Sequence, residues 1–421
     1  MEKKIKHTPL HEWHLLNGAN MGHFASYEMP IWYPSGAKEE HLSVIRGAGL
    51  FDTSHMAFLS VTGEAAIDLL QKTFSRDLIP DRNNRAFIAG KCVYGVFLNE
   101  KGWVIDDAII YGIASDEYLV VVNAGNNDTI CKHLQERAGA LPVRIEDLTG
   151  QVAKIDIQGP ASGRILQALG AFSGVEIKNL SYFTFAGHFQ KEKGGAAIGG
   201  IPVILSRTGY TGEFGFEIIS NQESLTQLWD AILNAGKKWN LLPCGLAARD
   251  SLRTGALLPL SHQDIGHFLF LNTPWMFALP LDKTRKGFTK SFTGSDALLR
   301  ELSTHSHHTY PFAGFDLRKV STAKAPAVIT GDGKNIGTVL TCVTDMALGR
   351  HEGKVVNQAR QDFLPGSAIK GLSCGFLRTE APLSCLEKVL LDDGTRRIEV
   401  EIVNDIRPDR SARADILKMV I

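Results

Sequence analysis

Two adjacent aspartates stand in an otherwise apolar run at 104–111, VIDDAIIY. Because the side chains of a strand alternate between its faces, Asp107 shares one face with Tyr111, and Asp106 lies on the other. Two carboxylates cannot both be buried there without partners, so we expect one to meet solvent or a hydrogen-bond donor and the other to enter a pocket. Residue type alone favours the alternative that both lie at an exposed sheet edge and discourage strand pairing there.

A glycine-rich segment at 208–217, TGYTGEFGFE, is the second candidate. Its three glycines permit positive φ angles or a close approach of the backbone to a ligand. Glu213 and Glu217 stand beside aromatic residues, and a carboxylate can accept two parallel hydrogen bonds from the edge of a planar amidine-like ring. The alternative is a β-turn with solvated acids, and nothing in the segment matches a phosphate-binding loop.

Three charged residues, Arg249, Asp250 and Arg253, occupy a segment that we expect to be helical. The two arginines are four residues apart and therefore share a face. They could contact a ligand, or they could lie on a solvated face with an intrahelical ion pair.

Histidines give weaker signals. Ser54 and His55 are adjacent and so rarely face one another, which favours a surface or capping role over catalysis. The cluster of His305, His307 and His308 lacks carboxylates or cysteines at ligand spacing, so no metal site is expected.

Local patterns predict the elements that must position these residues. Helical periodicity or strand alternation is the signal in each segment, and a short loop containing glycine predicts a hairpin. Predicted helices are 63–74, 127–138, 160–168, 225–235 and one starting near Gly245; predicted strands are 91–98, 103–113, 118–123, 152–159 and 201–206.

The C-terminal part has a different pattern. A polar stretch at 301–310 without periodicity predicts a linker, and short strands with turns at 331–333 and 392–394 follow it. We therefore predict an α+β, multi-domain fold with a C-terminal antiparallel β-barrel. The expected division is 1–304, formed by two intertwined α+β lobes, and 311–421, the barrel domain.

Composition limits the class of partner. The chain has 421 residues, and Lys plus Arg equals Asp plus Glu at 45 each, so no net field attracts nucleic acid or an anionic membrane. No segment approaches the roughly 20 apolar residues of a membrane span. Six scattered cysteines without a Cys-x-x-Cys pair favour a reducing compartment, and we expect a cytoplasmic protein.

Taken in order, these features resemble the glycine cleavage T-protein (aminomethyltransferase) family over nearly the whole chain. The resemblance lies in ten segments that follow the family's order: 7–11, 21–30, 39–42, 49–56, 98–107, 121–124, 158–160, 206–213, 245–250 and 292–298. They include GLFDTSHM at 49–56 and SRTGYTGE at 206–213.

The resemblance implies a ring of domains around a central folate channel, a folate-binding T-protein-like fold. Asp107 would then approach the reactive nitrogens of tetrahydrofolate as the catalytic residue, and Asn123 and Glu217 would hold the edge of the pteridine. The remaining implied folate-binding residues are Met56, Tyr94, Tyr111, Tyr182, Tyr210 and Arg249.

The implied reaction moves an aminomethyl group from the lipoyl arm of H-protein to tetrahydrofolate, with release of ammonia. Two alternatives remain. One is a tetrahydrofolate-dependent demethylase acting on a small methylated amine, ether or sulfonium compound, and the other is a non-catalytic folate-binding protein.

Four departures from the family pattern keep the donor open. Phe214 replaces the middle acid of the glycine-rich segment; 272–279 lacks the family's glutamate and tryptophan; 340–346 replaces a Thr-Ser-Gly motif; and 350–370 resembles an insertion. We expect these positions to face the donor side of the channel, whereas the folate side matches the family.

Overall fold

A computed structural model describes residues 5–79, 89–169, 172–358 and 370–420. The α-helices of this part are α1 His11–Leu16, α2 Ala37–Arg46, α3 Ala66–Thr73, α4 Asn127–Ala138, α5 Ser162–Ala168, α6 Leu225–Gly236, α7 Leu246–Gly255, α8 Ser295–Glu301 and α9 Ile416–Val420.

The strands before residue 300 form two main sheets and two smaller ones. They are β1 Asn20–Phe24, β2 Tyr27–Trp32, β3 Gly49–Asp52, β4 Ala57–Thr62, β5 Cys92–Leu98, β6 Val104–Ala114, β7 Glu117–Val122, β8 Arg144–Asp147, β9 Val152–Gln158, β10 Phe172–Ser173, β11 Phe185–Gly187, β12 Ala197–Ile198, β13 Ile201–Pro202, β14 Ile204–Ser206, β15 Gly215–Asn221 and β16 Leu242–Cys244.

The first main sheet is antiparallel and has the strand order β5-β6-β7-β4-β8. One of its faces packs on α3 and α4 through Leu70, Leu134 and Ile110, which are fully buried. The opposite face carries Tyr111 and Val121 into a second cluster. Because side chains alternate along β6, this strand contributes to both clusters.

The second main sheet has the order β11-β14-β15-β9-β3-β16, antiparallel except for the parallel pair β3 and β16. Helices α5 and α6 cover one face, where Trp229 and Ile165 pack on Ile155 and Ile157. The other face meets the first sheet in the cluster that contains Tyr111. A large part of β6 is therefore enclosed between two layers.

The remaining strands form a closed antiparallel barrel and a hairpin beside it. They are β17 His308–Gly314, β18 Ala327–Ile329, β19 Asn335–Asp345, β20 Leu348–His351, β21 Lys354–Asn357, β22 Leu372–Thr379, β23 Lys388–Asp392 and β24 Arg397–Ile402. The barrel order is β17-β22-β19-β18-β23-β24, which confirms the predicted C-terminal barrel. The predicted turns at 331–333 and 392–394 join its strands.

Most predicted elements are present, and four predictions need correction. The helix expected over 63–74 begins three residues later, at Ala66. The segment 201–206 is not one strand, because it is interrupted at Val203 and its two parts belong to different sheets. The helix expected to open at Pro160 begins two residues later, at Ser162. The linker is shorter than 301–310, since α8 extends to Glu301 and the barrel begins at His308.

Within the described ranges, no helix is long and apolar enough to cross a membrane.

Candidate active site

A cavity of about 930 Å³ lies against β6 and β15, the glycine-rich segment, α7 and the chain near residue 410. Its wall brings together every residue that the sequence and the family resemblance singled out as catalytic or folate-binding: Met56, Tyr94, Asp107, Tyr111, Asn123, Tyr182, Tyr210, Glu217 and Arg249.

The aspartate pair lies in the middle of a sheet. Strand β6 pairs with β5 on one side and with β7 on the other. The alternative that both aspartates lie at an exposed sheet edge is therefore wrong. Asp107 lies in the cavity wall, whereas Asp106 is fully buried. The alternation of strand side chains therefore separates the two carboxylates as the sequence predicted.

Asp107 is held by two donors. The Tyr94 hydroxyl donates to its Oδ2 at 3.0 Å, and Nδ2 of Asn123 donates to its Oδ1 at 2.7 Å. Burial, and then the negative charge of Asp106, raise the pKa of Asp107 to about 7. A carboxyl group with this pKa can exchange a proton near neutral pH or carry a negative charge beside a ligand.

Asp106 is surrounded by donors on the far side of the strand. It accepts hydrogen bonds from the Ser261 hydroxyl at 2.7 Å, from the backbone N–H of Asn123 at 2.9 Å, and from Nδ2 of Asn123 at 2.8 Å. Burial raises the pKa of Asp106. One amide nitrogen thus bridges the two carboxylates and fixes them relative to each other.

Glu217 belongs to a buried chain of charges. Its carboxylate accepts hydrogen bonds from Lys154 and Thr208, and from the Tyr111 hydroxyl at 3.2 Å. Lys154 also binds Asp156 at 2.9 Å. Since Lys154 is 3% exposed, its ammonium group is desolvated and depends on these two carboxylates.

Arg249 completes this chain rather than binding Asp107. Its Nη1 lies 2.9 Å from Oδ2 of Asp156, and its guanidinium lies over the Tyr210 ring at 4.8 Å. Among the described residues, no hydrogen bond or ion pair joins Arg249 to Asp107. Both side chains nevertheless line the same cavity.

Arg253, the second arginine of α7, is closed to ligands. Arg253 is 1% exposed and forms ion pairs with Asp264 and with Asp250. The predicted intrahelical pair is present, but the solvated face is not, because α7 packs against the barrel and its Arg253 donates to Thr341.

The glycine-rich segment closes around a buried amide rather than a phosphate. Gly212 has a φ of +74°, but Gly209 and Gly215 serve another purpose. A Cβ atom at Gly209 would lie 2.1 Å from Oε1 of Gln158, and one at Gly215 would lie 2.6 Å from the same side chain. The Gln158 amide donates to the carbonyl groups of Thr208 and Phe216 and so fixes the segment.

The interpretation of Glu213 as a solvated turn acid is wrong. Glu213 is 2% exposed and accepts hydrogen bonds from the backbone N–H and hydroxyl of Ser411. Its other oxygen lies 3.6 Å from the Arg407 guanidinium. Glu213 therefore attaches the C-terminal segment to the cavity wall.

Aromatic side chains form much of the remaining wall. The ring centroids of Tyr94 and Phe277 are 5.9 Å apart. Tyr182 is 38% exposed and lies beside Arg413. Burial and the neighbouring carboxylate raise the pKa of Tyr94 and of Tyr111 well above their ordinary range, so both hydroxyls stay protonated as donors. The wall can thus accommodate a flat ring system.

The sequence did not single out several residues of the wall. Lys154 had a signal, since it breaks an apolar strand two residues before Asp156 and so shares its face. His55 was assigned a surface or capping role, and the surface role is wrong: it is 3% exposed, and burial lowers its pKa to about 4. Four arginines also line the cavity: Arg76, Arg207, Arg410 and Arg413.

Most departures from the family pattern do not reach the cavity. Phe214 is fully buried and packs on the Arg207 guanidinium at 3.9 Å, and Thr341 donates to Asp264. Residues 350–358 belong to the hairpin of β20 and β21, and 359–369 lie outside the described residues. Of the departures that the structure describes, only the segment 272–279 contributes to the wall, through Pro274 and Phe277.

Comparisons with known proteins find similar sequences over most of the chain. The model of the GCVT N-terminal domain matches residues 10–269. The chain is 39% identical over 305 residues to an aminomethyltransferase of Symbiobacterium thermophilum, covering 71% of this chain and 76% of that protein. It is 35% identical over 338 residues to an aminomethyltransferase of Caldanaerobacter subterraneus subsp. tengcongensis, covering 80% and 84%.

A solved structure extends the similarity to the whole fold. The crystal structure of the glycine cleavage system aminomethyltransferase T from Bartonella henselae superposes with a TM-score of 0.76 at 25% sequence identity. The match covers 95% of this chain and 97% of that chain.

Proposed function

This chain belongs to the aminomethyltransferase family that the GCVT N-terminal domain defines, and we propose that it is the glycine cleavage enzyme that transfers an aminomethyl group to tetrahydrofolate. One observation carries the proposal. Asp107, held by Tyr94 and Asn123, presents a carboxyl group to a cavity large enough for a reduced folate.

The chemistry of the wall fits a reduced pterin. The pterin ring offers N–H groups along one edge. The Glu217 carboxylate faces the cavity, and Lys154 pairs with it from behind. Carboxylates accept such paired donors well. Met56, Tyr111 and Tyr182 supply apolar and aromatic contact area for the ring.

When bound, tetrahydrofolate would supply the nucleophilic nitrogens of the reaction. Two carbon–nitrogen bonds to the aminomethyl carbon would replace its bonds to the lipoyl sulfur and to the amine nitrogen. The two protons released from the folate nitrogens would pass to these leaving groups, which gives methylenetetrahydrofolate, the free thiol and ammonia. The Asp107 carboxylate stabilises the positive charge that develops beside it, and the enclosed wall positions the reacting nitrogen.

Cations lie at other points of the cavity. Arg410 and Arg413 come from the C-terminal segment and Arg76 from the segment after α3. We assign them to the carboxylates of the folate tail, because guanidinium groups bind carboxylates in pairs of parallel hydrogen bonds. The partner protein is H-protein, which carries the aminomethyl group on its lipoyl arm.

We also propose the division into a folate-binding region, 1–304, and a barrel domain, 311–421. The closed barrel of β17, β18, β19, β22, β23 and β24 has an apolar core of its own, which supports this division. All six cysteines are free, which supports a reducing compartment such as the cytoplasm.

The experiment compares Asp107→Asn with a matched control, Asp116→Asn, whose exposed aspartate lies in the turn between β6 and β7. We expect turnover with tetrahydrofolate and aminomethylated H-protein to fall by about 100-fold or more in Asp107→Asn, with folate affinity changed far less. The control should match the wild type. Equal losses of turnover and affinity would contradict a catalytic role for Asp107.

The donor is tested in parallel. Wild-type protein and tetrahydrofolate are incubated either with aminomethylated H-protein or with a panel of small methylated amines, ethers and sulfonium compounds. Product from H-protein alone supports the proposal. Product from the panel alone would replace it with a demethylase, and no folate binding at all would refute both.

A further inference from the structure

A group of histidines and one glutamate lies on the surface, formed by residues that precede or belong to α1, β1 and β2. His7, His11 and Glu28 place their ligand atoms within 4.8 Å of one another. None of them lines the cavity. Sequence spacing gave no signal for this group, because its members come from separate elements.

The backbone places these residues side by side. The segment around Lys6 pairs with β2, since the Lys6 N–H donates to Ser26 and the Glu28 N–H donates to the Lys6 carbonyl group. His7 therefore follows a fixed residue. His23 of β1 lies directly opposite Glu28 in the antiparallel register, where facing side chains are neighbours.

The side chains already converge on one carboxylate. His11 Nε2 lies 2.7 Å from Oε2 of Glu28, and His7 Nε2 lies 3.8 Å from the same atom. The rings of His7 and His11 stack with centroids 3.7 Å apart. The hydrogen bond from His11, and the charges of His11, His7 and His23, lower the pKa of Glu28 despite some burial.

The far nitrogen of His11 lies near a second carboxylate. His11 is 5% exposed, and its Nδ1 makes no hydrogen bond within the described residues, but it lies 3.7 Å from Oε1 of Glu12. In metal-bound histidines a carboxylate commonly accepts a hydrogen bond from the second ring nitrogen, and Glu12 lies beyond hydrogen-bond distance of it here.

We propose that His7, His11 and Glu28 bind a divalent transition-metal ion such as Zn²⁺, with His23 or water as the fourth ligand. Imidazole nitrogens and one carboxylate are a suitable donor set for Zn²⁺ at bond lengths near 2.0 to 2.2 Å. Binding of the ion requires an unprotonated Nε2, so any proton on that nitrogen leaves to solvent. The ion joins the N-terminal segment to the β1–β2 hairpin, whose Phe24 reaches the cavity wall.

The test uses the full chain with any affinity tag removed. Zn²⁺ is titrated by calorimetry, and Co²⁺ is titrated by visible absorption, which reports the coordination geometry. We expect one ion per chain and a melting temperature that rises with Zn²⁺.

Two double variants give the comparison. His7→Ala/His23→Ala removes exposed ligands and should lower Zn²⁺ affinity by about 10-fold or more. His305→Ala/His307→Ala removes a different, partly buried histidine pair, with ring centroids 5.5 Å apart, and should leave Zn²⁺ binding unchanged. Equal Zn²⁺ binding by the wild type and the His7 variant, or no binding by the wild type, would overturn the proposal. Neither result depends on aminomethyl transfer.

Discussion

Replacing Asp106 with asparagine tests how the aspartate pair works. Nδ2 of Asn123 lies within 2.8 Å of Oδ1 of both Asp106 and Asp107, so these two oxygens are no more than about twice that distance apart. Two charges roughly 5.5 Å apart repel by roughly 3 kcal/mol at an effective dielectric constant of about 20. That energy corresponds to roughly 2 pH units in the titration of either group.

The sign follows from the charge. A negative neighbour disfavours ionisation and raises the pKa of Asp107 to about 7, after the larger effect of burial. Asp106→Asn removes the charge and lowers that pKa, so a larger fraction of Asp107 is ionised below pH 7. If the ionised form is the active one, the acidic limb of the pH profile moves down by roughly 1 to 2 pH units, since hydrogen bonds already screen part of the repulsion.

The assay is kcat as a function of pH for aminomethyl transfer, together with carbon NMR of the Asp107 carboxyl group. Ser261→Ala is the control, because it removes one hydrogen bond to Asp106 but keeps the charge. Its acidic limb should stay close to that of the wild type. If Asp106→Asn folds and its acidic limb and NMR titration coincide with those of the wild type, the coupling that we infer does not exist.

Three further predictions concern stability. Lys154→Met leaves the buried Glu217 carboxylate without its cation, so the free energy of unfolding in urea should fall by about 3 to 5 kcal/mol. Adding Glu217→Gln should recover part of that loss, and no recovery would contradict the pairing. Gly209→Ala places a Cβ atom 2.1 Å from a buried amide oxygen and should lower the free energy of unfolding by about 1 to 3 kcal/mol. Gly331→Ala is the control, because its Cβ atom would meet nothing within 4 Å, and it should change stability little. Equal effects of the two substitutions would refute the steric reason. Burial lowers the pKa of His133 to about 4, so the wild type loses stability as pH falls from about 6.5 to about 4, by up to roughly 3 kcal/mol. His133→Leu should remove that loss when unfolding in urea is measured at several pH values. An unchanged pH dependence would exclude His133 as its source.

Local periodicity accounts for the elements that the sequence predicted well. Helix 127–138 and the hairpin of β5 and β6 follow from patterns within a dozen residues, and the structure places them as predicted. The same alternation put Asp107 on one face and Asp106 on the other. The ordered family segments then supplied the residues of the cavity wall.

Errors arose where a residue's environment depends on distant segments. The sequence left Glu213 open between a ligand contact and a solvated turn, but Ser411 binds it. It left Arg253 open between a ligand contact and a solvated face, but Arg253 pairs with Asp264. His55 was assigned to the surface and is buried. Local sequence contains no information about which later segment will cover a side chain.

The sequence by itself therefore determined the class of fold, the C-terminal barrel, the family and the face of Asp107, because periodicity and motif order act over short stretches of chain. Only the tertiary structure decided which charges are buried and which partners neutralise them. It joined Lys154 to Glu217, bridged the two aspartates through Asn123, and brought His7 to Glu28. Ion pairing and burial require contact between segments far apart in the chain, and that contact exists only after folding.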